Sequence, residues 1–143
     1  MPSFTSQIPN LQQVGPVCRI KIGISSTAQE VLSQRAETIP SPVEVTALID
    51  TGAAGTCINP DIVRTLGLVS RGVTQIATPS TRAHLCNIYD VSLHLPNGVT
   101  VPTIGVIETP LEGQNIQCLI GRDVLAHGIF IYTGYTGTFS LSF

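Results

Sequence analysis

Charge is scarce in this sequence. Only 11% of its 143 residues are Asp, Glu, Lys or Arg, against 43% hydrophobic, a low share for a soluble chain. So little charge leaves surface to be covered by something else, and a buried subunit interface is one solution. The seven basic residues (Arg19, Lys21, Arg35, Arg64, Arg71, Arg82 and Arg122) are scattered, and the net charge is −2. Aromatics are 5%, with no tryptophan. Lacking both a basic stripe and an aromatic platform, the chain has no footprint for nucleic acid. No apolar run approaches the ~20 residues that span a bilayer, and no charged segment followed by an apolar one opens the chain. With the initial Met, these absences point to a free-standing cytoplasmic protein that makes no membrane contact. Cys18, Cys57, Cys86 and Cys118 form no C-x-x-C, so reduced, structural thiols are expected. His84, His94 and His127 have no partner at metal-ligand spacing, and no phosphate loop or dinucleotide fingerprint is present. No metal and no cofactor is expected.

What is present reads as one mostly β domain over residues 17–143, preceded by an arm over 1–16. The arm is polar with Pro2, Pro9 and Pro16, so it is ordered only if something holds it. Arg19 and Lys21 alternate with apolar neighbours over Val17–Ile24, the period of a half-buried strand. Residues 25–42 read as a surface loop with a helical turn around Ala28–Arg35. After a strand over Val43–Asp50, Asn59-Pro60-Asp61 opens a short helix that Gly67 ends. Residues 73–95 read as a long hairpin with its tip at Thr78–Thr81, and Asn97-Gly98 turns the chain into a strand over Val99–Glu108. A short strand over Ile116–Gly121, a helical segment over Arg122–His127 and a final hairpin around Gly134 and Gly137 complete the chain. Phe139, Leu141 and Phe143 alternate with serines, which suits an interface strand and an ordinary core or edge strand equally.

The organising stretch is Ala47-Leu48-Ile49-Asp50-Thr51-Gly52-Ala53-Ala54. An apolar strand ends abruptly in an acid, a hydroxyl and small residues. Gly52 tolerates a tight turn, and Asp and Thr bond nearby backbone. A carboxylate where a core strand leaves the interior is unfavourable unless it is paired, hydrogen-bonded or used. Three residues alone also fit an ordinary turn. About seventy residues on stands a second feature, Leu119-Ile120-Gly121-Arg122-Asp123-Val124-Leu125, with the hairpin between the two.

In that order the features resemble the retropepsins, the single-lobe aspartic proteases of retroviruses and their cellular and bacterial relatives. The likeness runs over roughly residues 43–131. It implies a retropepsin-like closed β-barrel lobe with one or two short helices and a flap hairpin at about 73–95. Asp50 matches the catalytic aspartate, and Thr51 the residue whose hydroxyl braces both active-site loops across a dimer. Gly52 matches the glycine whose carbonyl contacts substrate backbone, and Ala53 the small residue beside it. Gly121 and Arg122 match the second motif, and Ala77, Thr78, Pro79 and Ser80 the flap tip. The chain departs from the viral pattern at Ala54, where an acid often pairs with the matching arginine. Arg122 must therefore bond elsewhere, to backbone carbonyls. The flap also lacks a Gly-rich tip, and residues 1–16 and 25–42 have no counterpart.

Such chemistry needs two carboxyl groups about 3 Å apart sharing one proton, the aspartic-protease dyad being the standard instance of this like-charge effect. The pair titrates as a unit and implies an acidic to mildly acidic optimum. Asp61, Asp90 and Asp123 lie in helices or a hairpin strand, and Glu30, Glu37, Glu44, Glu108 and Glu112 in loops or at strand edges. A lone Asp50 cannot run the reaction, so the second carboxylate must be Asp50 of another copy across a two-fold axis. The expected function is a homodimeric aspartic endopeptidase acting on extended peptides bound as strands. The alternative is a non-catalytic dimeric peptide-binding module of the same fold, against which an intact Asp50-Thr51-Gly52 argues. A third reading makes residues 1–16 a pro-segment.

Overall fold

The computed structural model describes residues 2–78, 81–111, 113 and 115–143, and the side chains of these except 77, 78 and 81–83. Strands and helices follow in the order β1 (Ser3–Gln7), α1 (Leu11–Val14), β2 (Val17–Ile24), α2 (Ser26–Gln34), β3 (Val43–Ile49), β4 (Cys57–Ile58), α3 (Pro60–Leu66), β5 (Gly72–Thr78), β6 (Thr81–His94), β7 (Thr100–Glu108), β8 (Cys118–Ile120), α4 (Arg122–Leu125), β9 (Ile129–Thr133) and β10 (Thr138–Ser142). A 3-10 turn over Gly134–Thr136 joins the last two strands.

Strands β2, β3, β8, β4, β7 and β6 follow one another around a closed barrel, because β2 pairs with β3 along one edge and with β6 along the other. Closure removes the sheet edges that would otherwise expose unpaired backbone. The alternation expected along β2 is realised. Cys18, Ile20 and Ile22 are buried, while Arg19 and Lys21 face out. Tyr89, Val91 and Leu93 of β6 and Val106 of β7 fill the same interior. The Asn97-Gly98 turn behaves as its residues dictate: Gly98 takes φ +79°, and the Asn97 side chain accepts from the Val99 amide at 3.1 Å.

A second, three-stranded sheet has β10 between β1 and β9. Phe139 and Leu141 are wholly buried in the chain's own core. Phe139 meets the ring of Phe4 edge-on, with centroids 6.1 Å apart at 82°. Core packing is what Phe139 and Leu141 display, while Phe143 is half-buried. The same sheet shows what holds residues 3–7, since β1 pairs with β10 along its whole length.

The reading of 25–42 as a loop with one helical turn needs correction. Residues Ser26–Gln34 form a nine-residue helix, with the Ser25 hydroxyl accepting from the Ala28 amide at 3.1 Å. Ala28 and Leu32, one turn apart, pack onto the core. The flanking serines and prolines masked that i, i+4 pair. In α3, Pro60 stands at the start and Gly67 closes the helix at φ +62°, as expected.

Candidate active site

The site follows from one parallel pairing. β3 and β8 run side by side in the same direction, with Ile49 opposite Ile120. Parallel strands end at the same edge, so Asp50 and Gly121, seventy-one positions apart in sequence, emerge together. β8 lies between β3 and β4 in the sheet, so the connection over residues 50–56 must cross the end of β8. The residue directly under that crossing is Gly121. A Cβ on it would lie 2.6 Å from the Gly55 carbonyl carbon and 3.0 Å from the Ala53 oxygen. Glycine is required here by space, because φ −89° and ψ −178° are open to any residue.

The crossing loop is sewn to the turn beneath it. The Asp50 amide donates to the Ile120 carbonyl at 2.9 Å, the Arg122 amide to Ala53 at 2.9 Å, and the Asp123 amide to Ala54 at 3.2 Å. The Arg122 guanidinium donates to the Thr51 carbonyl at 2.7 Å. With Ala54 offering no acid, a backbone carbonyl is its partner. Within the turn, Oδ1 of Asp50 accepts from the Gly52 amide at 2.9 Å. A carboxylate bonded this way is fixed in orientation. Asp50 is half-buried, while Thr51, Gly52 and Ala54 are exposed, so the acid faces an open surface from a braced loop.

Two residues matter that sequence reading left aside. Thr56 is wholly buried. Its amide and hydroxyl donate to the two oxygens of Asp123 at 3.0 and 2.8 Å, and its hydroxyl oxygen accepts from the Gly121 amide at 3.1 Å. The signal available was a hydroxyl residue set between Gly55 and an apolar strand, with an acid directly after the Gly-Arg pair.

Other carboxylates are engaged elsewhere. Asp61 pairs with Arg64, Glu44 with Arg19 at 3.0 Å, and Asp90 with Arg71 at 3.2 Å and the Gly105 amide at 3.0 Å. Glu108 accepts from the Tyr89 hydroxyl at 2.8 Å. All four cysteines are free thiols. Burial, then the charges of Asp123, Cys86 and Asp50, push the Cys57 thiol up to about 11, so it stays protonated rather than nucleophilic. Among the described residues no group of three or more His, Cys, Asp or Glu is gathered as metal ligands.

β5 and β6 form the expected hairpin, in register from Gly72 opposite Ile88 to Ile76 opposite His84, with a shift before Thr78 opposite Thr81. Cys86 is buried and Ile76 and Ile88 half-buried on one face, with Val73 and Leu85 exposed on the other. Ala77 and Thr78 end β5, whereas Pro79 and Ser80 of the expected tip lie outside the described residues.

A closed single lobe whose Asp-Thr-Gly loop crosses a strand ending in apolar-apolar-Gly defines the retropepsin-like fold. A solved structure agrees: a retropepsin-like aspartic protease from Rickettsia conorii matches over 99% of this chain and 90% of that one, with TM-score 0.59 and 12% identity. The family described as "gag-polyprotein putative aspartyl protease" matches residues 39–127, and the chain belongs to that family. No curated protein matches the sequence significantly. Among the described residues no helix is long and apolar enough to cross a membrane.

Proposed function

We propose that this chain is an aspartic endopeptidase that works as a homodimer, with one Asp50 from each subunit forming the catalytic pair. The observation that carries the reading is Asp50 itself, held by the Gly52 amide on a braced loop whose neighbours are exposed. One copy supplies one such acid, so a two-fold axis beside Thr51 and Gly52 is what completes the site. The two carboxyl groups share a proton. The ionised one takes a proton from a water as it attacks the scissile carbonyl carbon, and the protonated one donates to the carbonyl oxygen. Collapse of the resulting diol breaks the C–N bond and passes a proton to the leaving amine. Two carboxylates and a water suffice, so the mechanism calls for no cofactor. The hairpin β5–β6 serves as the flap, and substrate lies beneath it as an extended strand.

The test is hydrolysis of casein between about pH 3 and 7 by wild type and Asp50→Asn, each with its solution mass determined. Acidic-range cleavage by a dimer, abolished in a dimeric Asp50→Asn, is the expected result. Equal cleavage by both proteins overturns the mechanism. A dimer that cuts no protein at any of these pH values puts the non-catalytic peptide-binding module ahead.

A further inference from the structure

We propose that Asp123 is a positioning residue: its carboxylate clamps Thr56 and so fixes the exit of the loop that carries Asp50. The inference rests on the proposed catalytic role of Asp50. Three donors converge on this one side chain. The Thr56 amide reaches Oδ2 at 3.0 Å, while the Thr56 hydroxyl and the Val124 amide both reach Oδ1 at 2.8 Å. Only an ionised carboxylate accepts on both oxygens without presenting a hydrogen to any of them. An asparagine of the same size turns its NH₂ toward either the Thr56 amide or the Val124 amide, whichever way it is placed.

The clamp matters because of how the loop is held. Its entry is fixed by the Asp50 amide on Ile120, and its middle by Arg122 and Asp123 backbone donors on Ala53 and Ala54. Thr51, Gly52 and Ala54 are exposed, so packing contributes little there and hydrogen bonds set the path. Thr56 is the first wholly buried residue after Ile49. No water can replace a bond lost at a site so enclosed. Its hydroxyl also accepts from the Gly121 amide at 3.1 Å, which ties the clamp to the turn beneath Asp50. Releasing the exit lets the loop shift, and displacement of a reacting group by about 1 Å costs roughly a hundredfold in rate. Thr56 is wholly buried and out of a peptide's reach, so the loss should fall more on kcat than on KM.

The experiment compares wild type, Asp123→Asn, Thr56→Val and Thr56→Ser as full-length proteins, with casein as substrate. Asp123→Asn and Thr56→Val should each lower kcat roughly tenfold to a hundredfold with KM within about threefold. Thr56→Ser, which keeps amide and hydroxyl, should recover most of what Thr56→Val loses. Combining Asp123→Asn with Thr56→Val should cost little more than either alone, since both break one unit. Two readouts are independent of turnover. Amide exchange at Thr56 and Gly121 should quicken at least about tenfold in Asp123→Asn while Val91 and Leu93 stay protected, and the Asp50 carboxyl carbon resonance should move. Unchanged exchange at Thr56 and Gly121 overturns the clamp, and so does quickened exchange with kcat and the Asp50 resonance both as in wild type. If wild type cuts no casein, the catalytic reading fails on its own, and exchange with the Asp50 resonance still decides whether Asp123 positions that loop.

Discussion

Gly121→Ala isolates the feature on which the whole site depends, the passage of one loop over one strand end. The added methyl would meet the Gly55 carbonyl carbon at 2.6 Å and its oxygen at 2.7 Å. Ordinary carbon–carbon contact is about 3.5 Å, so one backbone must retreat by roughly 1 Å. Both sides of the contact are main chain tied down by hydrogen bonds, and neither is the free end of a side chain. Overpacking of this kind costs about 1–3 kcal/mol, which for a domain of this size lowers the melting temperature by roughly 3–12 °C. Relief by moving the loop carries Asp50 with it, so activity on casein should fall roughly a hundredfold even where the protein remains folded. Thermal denaturation followed by circular dichroism, with casein hydrolysis on the same samples, measures both. The control is Gly67→Asn, at φ +62° with nothing within 4 Å of an added Cβ. Asparagine tolerates that conformation, so the control should cost little in either assay. A Gly121→Ala protein as stable and as active as wild type would refute the crossing-loop argument.

Phe139→Ala should destabilise by about 3–5 kcal/mol, because Phe139 is wholly buried and its ring meets both Phe4 and Phe130. Denaturant titration would show it, and a loss under about 1 kcal/mol would place Phe139 outside the monomer core. Burial pushes the Cys18 thiol from its ordinary 9.0 up to about 12 and raises Cys118 as well. In the folded chain both thiols prefer to keep their protons, so the unfolded chain loses protons first as pH rises. Their contribution to stability is whole below about pH 9 and declines as pH climbs from there toward 12, which melting curves across that range would register. At about pH 8 a disulfide reagent should leave Cys18 and Cys118 untouched in the native protein and modify all four cysteines once guanidinium unfolds it. Rapid native labelling of Cys118 would contradict its burial.

The sequence by itself determined the elements whose cause is local. Alternation placed β2 and β10, Asn97-Gly98 placed a turn, and Pro60 with Gly67 bounded α3, because period and backbone preference act over a few residues. It also marked Asp50-Thr51-Gly52 as a strand end carrying a charge, since an acid after an apolar run is conspicuous wherever the chain folds. Helix α2 was less legible, its two core contacts hidden among serines and prolines. What only the tertiary structure decided is the pairing of β3 with β8 in parallel, with β8 lying between β3 and β4. No local pattern encodes which strands become neighbours, yet that order alone makes the Asp50 loop cross Gly121. The same order turns Thr56 and Asp123, two ordinary polar residues when read along the chain, into one hydrogen-bonded unit. It likewise gives Arg122 the Thr51 carbonyl in place of an absent acid. Which groups meet across sixty or seventy residues is set by packing the whole barrel closed, and the chemistry of this site resides in those meetings.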